Sequence, residues 1–325
     1  MIDFANVGSA VVGGALVGAL ALLIGGAKWF TGAAERTGQA VGLSPFAIGI
    51  FIVAIGTSLP ELVSSLLAAA QGQSTVVSGN VLGANTALLL LVLGVVASVS
   101  RRGIHLGERY IAIDLNFMLG SAALLSLAMV DGGIGRLEGI VLLLGYAAYT
   151  GYLLTEGRTV TASAAFAETM PSAPGARLKP ADLVVLVAAA AVIFVGASIT
   201  LDALISIATR LGISPAIASL TILSLGTTLP ELAVSVSAAL SGRAEMAIGN
   251  ILGSCIFNAT TVIGLASLFG RVEVPADLMR LPLPCFGGAA LLFYLLTQDR
   301  RVSRWEGLLF VFAYVLLVAE IAGLA

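Results

Sequence analysis

Apolar residues run through this chain in long blocks, separated by short breaks that hold most of its glycines, prolines and charges. Ten blocks have about the length needed to cross a bilayer as a helix. They fall at roughly 8–28, 45–70, 74–99, 110–129, 135–155, 181–206, 214–240, 245–269, 281–297 and 304–323, with Gln298 to Arg304 dividing the last two. The pattern predicts an all-α integral membrane protein of ten transmembrane helices. One longer polar stretch, 156–180, is rich in Thr, Ser, Ala and Pro and predicts a flexible linker between two halves, 1–155 and 181–325.

The halves repeat each other. Gly56-Thr57-Ser58-Leu59-Pro60-Glu61-Leu62 recurs 170 residues later as Gly226-Thr227-Thr228-Leu229-Pro230-Glu231-Leu232. The same offset relates Ser44-Pro45 to Ser214-Pro215, Gly79-Asn80 to Gly249-Asn250, Gly83 to Gly253 and Gly94 to Gly264. Near the end of each half, Arg136-Leu137-Glu138-Gly139 resembles Arg304-Trp305-Glu306-Gly307 at an offset of 168. A period this long indicates duplicated halves of one membrane domain rather than a solenoid.

Charge fixes an expected topology. With ten spans, 12 of the 16 basic residues fall on one face: Lys28, Arg36, Arg101, Arg102, Arg109, Arg158, Arg177, Lys179, Arg243, Arg300, Arg301 and Arg304. Arg136, Arg210, Arg271 and Arg280 fall on the other. By the positive-inside rule the first face is cytoplasmic. That places both termini outside a cell (inner) membrane and the 156–180 linker inside. Five helices per half is odd, so the halves insert as inverted-topology repeats with antiparallel glutamate helices.

Composition narrows the class. The chain of 325 residues is 58% hydrophobic and 10% charged, where soluble domains carry roughly a quarter charged residues. The lipid bilayer is its expected surrounding. Cys255 and Cys285 sit in apolar sequence and read as packing, and His105, the single histidine, sits in a basic loop. A net charge of −2 leaves no nucleic-acid footprint, and neither a cofactor nor an obligate protein partner is indicated. An intramembrane hydrolase would need a nucleophile–base pair or a histidine-rich metal site, so no enzyme is expected.

An acid inside a membrane helix is costly and marks a functional site. Pro60 removes an N–H and Gly56 weakens the same turn, so the carbonyls near Ala54, Gly56 and Thr57 are expected to turn outward. Thr57 and Ser58 add hydroxyls, and Glu61 follows Thr57 by one turn. The second copy offers Ser224, Thr227, Thr228 and Glu231. Brought together, these make an oxygen cage with two negative charges, the ligand set of a hard cation such as Ca²⁺. Soft-metal ligands are missing beside either glutamate. Ser254 and Asn258 lie four apart in the next helix of half two, where half one has Ala84 and Leu88.

Other polar residues have plainer readings. Back-bonding to the preceding turn competes with ligation at the motif hydroxyls. Asn80 and Asn250 are expected to bond between helices, and Glu138 and Glu306 to favour helix starts or pair with Arg136 and Arg304. Asp114 reads as a first-turn acid, and Asp202 and Glu320 as interfacial.

These motifs resemble those of the sodium/calcium exchangers, within the cation/calcium antiporter superfamily, in their compact ten-helix prokaryotic form. Gly56 to Glu61 and Gly226 to Glu231 match the first family element, and Gly249 to Asn258 match the second with Cys255 in place of Asn. Gly79 to Leu88 match it less well. The resemblance implies Ca²⁺ between Glu61 and Glu231, with Na⁺ at neighbouring positions. It implies that Thr57, Thr227, Ser58, Thr228, the Ala54 and Ser224 carbonyls, Ser254 and Asn258 line the site. Family members usually carry Ser where this chain has Ala84, and Asn or Asp where it has Leu88. At least one family Na⁺ position then lacks ligands on the first half, and a three-sodium ratio does not follow.

Two carboxylates in one cavity can also take up protons, so the expected function is antiport of Ca²⁺ against Na⁺ or H⁺ by alternating access. Helices 1 and 6 are expected to move over the glutamate core. The competing readings are a monovalent Na⁺/H⁺ exchanger and a degenerate, non-transporting cation-binding membrane protein.

Overall fold

A computed structural model describes residues 7–100, 104–105, 114–160, 178–210 and 215–321. Arg101, Arg102, Arg109, Arg177 and most of the linker lie outside the described residues, as do the side chains of His105, Arg158 and Ser224.

Each predicted apolar block coincides with a helix or a contiguous pair. In chain order these are α1 (Ser9–Ala40), α2 (Pro45–Thr57), α3 (Leu59–Ala70), α4 (Ser74–Val99), α5 (Leu115–Met129), α6 (Arg136–Val160), α7 (Pro180–Arg210), α8 (Pro215–Leu240), α9 (Ala244–Phe269), α10 (Ala276–Leu296) and α11 (Arg304–Ile321). Five of them are long and apolar enough to cross a membrane, and α2 with α3 would form a sixth such span. Short strands join the loops: β1 (Ile104–His105), β2 (Gly133–Ile134), β3 (Val272–Glu273) and β4 (Arg301–Val302).

Much of the exterior is apolar, and a set of polar side chains is buried within an otherwise apolar core. Large apolar side chains such as Val17, Trp29, Leu127, Val187, Trp305 and Phe312 point outward, Trp305 with 81% of its surface exposed. Glu61, Glu231, Asn250, Ser254 and Asn258 are buried. An apolar exterior around a polar interior suits a lipid surrounding, because polar backbone and side chains at membrane depth must be satisfied inside the protein.

Contacts between the halves come in pairs that exchange under the sequence offset. β1 pairs antiparallel with β4, and β2 with β3. A Cβ on Gly94 would lie 2.7 Å from the Gly307 carbonyl oxygen, and one on Gly264 would lie 2.9 Å from that of Gly139. Glu138 accepts from the Gly135 N–H at 2.6 Å, and Glu306 from the Ser303 N–H at 2.6 Å. Both acids therefore cap helix starts, one of the two roles expected of them, and satisfy amides that a first turn leaves open.

Loops predicted to share a face meet. Arg36 pairs with Asp182 at 2.6 Å and Arg243 with Glu35, while Arg304 donates to the Ser100 carbonyl at 3.1 Å. On the opposite side Arg271 pairs with Asp131 at 3.3 Å, and Ser78 donates to the Glu273 carbonyl at 2.7 Å.

The halves differ at the motif helices. The first is bent by 42° between α2 and α3, and a π-helical stretch, Gly49–Ala54, precedes the bend. Pro60 explains the break, since it cannot bond the Gly56 carbonyl and its ring crowds that turn. In α8 the helix continues through Pro230 without a π turn. The disruption expected around Pro60 is thus present, while the second copy of the motif runs on as helix.

Candidate cation site

Close backbone contact between α2 and α9 sets the geometry. A Cβ at Gly49 would fall 2.4 Å from the Met246 carbonyl oxygen, and one at Gly249 would fall 2.4 Å from that of Phe46. Only glycine lets the two helices cross this near. The crossing places the polar side of α9 against the motif of half one.

A chain of hydroxyls then links the halves. Ser58 Oγ lies 3.1 Å from Glu231 Oε1, to which it can donate, and 3.0 Å from the Ser254 hydroxyl. The Thr57 hydroxyl lies 3.2 Å from Asn250 Oδ1 and 3.0 Å from the Val53 carbonyl, so back-bonding does compete there. Asn250 donates to Ser235 Oγ at 2.8 Å. The mirrored set occurs in the other half: Thr227 donates to Asn80 Oδ1 at 3.4 Å, and Asn80 donates to Ser65 Oγ at 3.4 Å. Both asparagines thus bond between helices as expected. Ser65 and Ser235 were not among the predicted residues. They are buried, stand one turn after Glu61 and Glu231, and are 170 apart, a signal already inside the repeat, between Leu62 and Gly79.

Both glutamates are buried. Neither Glu61 carboxylate oxygen has a hydrogen-bond partner, nor does Glu231 Oε2. Asn258 is buried with both amide atoms unpartnered. Its π turn, Asn258–Val262, packs against α3, which carries Glu61. A buried polar atom left unpaired costs about 1–3 kcal/mol, more when charged. Several at one place mark a site shaped for something absent from the protein itself.

The remaining predicted residues fall around this centre with differences. Thr228 is buried in α8 beside Glu231 in sequence. The Ala54 carbonyl stays in the helix rather than turning outward as expected, accepting from the Ser58 N–H at 2.9 Å with the Thr57 hydroxyl 3.4 Å away. Ser224 lies in α8 seven residues before Glu231. Asn85, also unpredicted, donates to the Cys255 carbonyl at 3.2 Å and leaves its Oδ1 unpartnered. Asp114 stands at the start of α5, is buried and accepts from the Tyr149 hydroxyl at 3.1 Å, and Asp202 is buried within the protein. Among the described residues no group of three or more His, Cys, Asp or Glu could hold a metal. Two carboxylates among neutral oxygens suit a hard cation rather than a soft one.

Helices α1 and α7 lie outside this core and make their largest contact with each other. Each sets a bulky side chain on a motif glycine. A Cβ on Gly56 would meet Phe30 at 3.0 Å, and one on Gly226 would meet Leu201 at 2.6 Å.

The sodium/calcium exchanger protein family profile matches residues 11–155 and 182–321. A membrane protein of Methanocaldococcus jannaschii is 31% identical over 306 residues, covering 93% of this chain and 95% of that one. A sodium/calcium exchanger of Methanosarcina acetivorans is 30% identical, covering 91% and 94%. A solved structure of the sodium-calcium exchanger NCX_Mj, soaked with Na⁺ and Ca²⁺, superposes with a TM-score of 0.79 at 29% identity, covering 96% of this chain and 98% of that one.

Proposed function

Because the chain belongs to the sodium/calcium exchanger protein family, we propose that it is a secondary-active antiporter exchanging Ca²⁺ for Na⁺ between Glu61 and Glu231. The observation that carries this reading is the pair of buried glutamates with three unpartnered carboxylate oxygens. A cation entering between them would meet three carboxylate oxygens that hold no hydrogen bond. Asn258 Oδ1 and the hydroxyls of Thr57, Ser58, Thr228 and Ser254 supply neutral oxygens toward the six to eight that Ca²⁺ takes. Thr227 and the carbonyls of Ala54 and Ser224 complete the proposed lining.

Coupling follows from competition. Ca²⁺ and Na⁺ draw on the same carboxylates, so one leaves as the other enters. The halves 1–155 and 181–325 serve as inverted repeats of five spans each, with both termini outside and the linker cytoplasmic. Pairwise exchange of contacts between the halves supports a twofold relation of this kind. Helices α1 and α7 are proposed to shift together over the core and expose the site to each side in turn. Phe30 over Gly56 and Leu201 over Gly226 are the contacts such a shift must break.

A monovalent Na⁺/H⁺ exchanger is the second reading, favoured by the apolar Ala84 and Leu88 on the first half. Flux from proteoliposomes separates the two. Uptake of Ca²⁺ driven by an opposing Na⁺ or pH gradient, and lost in Glu61→Gln, supports Ca²⁺ antiport. Sodium flux driven by a pH gradient with no Ca²⁺ movement supports the second reading. Cation binding without any flux supports a non-transporting protein.

A further inference from the structure

The two sides of the site differ enough to bear on the ratio of exchanged ions. Leu88 and Asn258 each open a π-helical turn, Leu88–Val92 and Asn258–Val262, 170 residues apart. The first turn packs against α8, which carries Glu231, and the second against α3, which carries Glu61. Asn258 brings a buried amide with both polar atoms unpartnered. Leu88 brings a fully buried hydrocarbon side chain at the equivalent place. One turn earlier, Ser254 bonds Ser58 at 3.0 Å, while its counterpart Ala84 is buried and has no hydroxyl. The site therefore has a polar lobe from half two and an apolar lobe from half one.

Its fixed charge is small and one-sided. Glu61 and Glu231 supply two negative charges, and among the described residues no buried Lys or Arg offsets them. No third acid joins them in a metal-holding group among those residues. One Ca²⁺ or two monovalent cations neutralise such a site. A third monovalent cation would leave a positive charge uncompensated in a medium where that is very costly. At the half-one positions equivalent to Ser254 and Asn258, Ala84 and Leu88 offer it no side-chain oxygen.

We infer that this protein exchanges one Ca²⁺ for two monovalent cations with no net movement of charge, and that Ala84 and Leu88 set this ratio. The inference rests on the antiport reading given above.

The test uses the full chain in proteoliposomes, with the potential clamped by a K⁺ gradient and ionophore. At a fixed Na⁺ or pH gradient, the Ca²⁺ ratio at which net flux stops is measured at zero and at roughly −60 mV. The expected result is the same ratio at both potentials. One net charge per cycle would shift it about tenfold over that interval, which would overturn the inference and leave antiport standing. The double variant Ala84→Ser with Leu88→Asn is expected to gain a potential-dependent ratio. If it transports Ca²⁺ and stays indifferent to potential, Ala84 and Leu88 do not set the ratio. Absence of Ca²⁺ movement by the unaltered protein under either gradient removes the antiport reading and the inference with it.

Discussion

Replacing Glu61 by glutamine changes the site by one charge at almost constant shape. In the structure neither carboxylate oxygen of Glu61 has a hydrogen-bond partner, so the carboxylate holds no part of the fold together. Two unit charges about 4 Å apart at an effective dielectric constant near 20 interact by about 4 kcal/mol, and Ca²⁺ carries twice that charge. Desolvation of the ion and the oxygen kept by the amide offset much of the gain. A net loss of at least ~3 kcal/mol remains, on the order of a hundredfold in affinity. Thermal unfolding in detergent reads this directly. At a Ca²⁺ concentration a hundredfold above the dissociation constant, binding stabilises the native protein by about 2.7 kcal/mol. With the affinity a hundredfold weaker, only ~0.4 kcal/mol is left at that concentration. Glu61→Gln is therefore expected to unfold near the normal temperature without Ca²⁺ and to lose nearly all of the Ca²⁺-induced rise. Glu138→Gln, which alters a helix cap far along the chain, should keep that rise. A Glu61→Gln protein with the full rise would refute the placement of Ca²⁺ at this carboxylate.

Other substitutions test separate parts of the account. Ser58→Ala removes the bond to Glu231 and the link to Ser254, and should weaken Ca²⁺ binding in a calorimetric titration by about 1.5–3 kcal/mol, the range for bonds to charged groups. Gly249→Ala puts a Cβ 2.4 Å from the Phe46 carbonyl. Thermal denaturation should show a loss of about 1–3 kcal/mol, while Gly25→Ala, with nothing within 4 Å of its Cβ, should unfold as the parent does. Asn250 is held by bonds of 2.8 and 3.2 Å, its counterpart Asn80 by two of 3.4 Å. Asn250→Ala should therefore lower the unfolding temperature more than Asn80→Ala, and equal losses would contradict the asymmetry between the halves.

Features with a period or a count were open to reading from the chain. Apolar block length located the helices, and segments assigned by charge to one face do meet, through Arg36 with Asp182 and Arg243 with Glu35. The offset of 170 also anticipated Asn80 and Asn250 as interhelical hydrogen-bonders. Local geometry was less open. Pro60 and Pro230 look alike in sequence, yet α2 and α3 part at 42° while α8 runs on. What distinguishes them is the π stretch Gly49–Ala54 ahead of the first copy, a register shift set by packing and unmarked by any residue type. Ser65 and Ser235 were missed because serine in a helix commonly back-bonds to its own backbone. Their role depends on α4 and α9 presenting Asn80 and Asn250 to them. Asp114 does stand at the start of α5, but its partner Tyr149, 35 residues away on α6, was beyond local pattern.

The central claim is that Glu61 and Glu231 together carry Ca²⁺ in exchange for Na⁺. Its most direct test is ⁴⁵Ca²⁺ uptake into Na⁺-loaded proteoliposomes containing the unaltered protein, Glu61→Gln or Glu231→Gln, with and without an outward Na⁺ gradient. The account predicts uptake that requires both the gradient and both carboxylates. Gradient-driven uptake that persists in either glutamine variant, or no uptake by the unaltered protein, would contradict it.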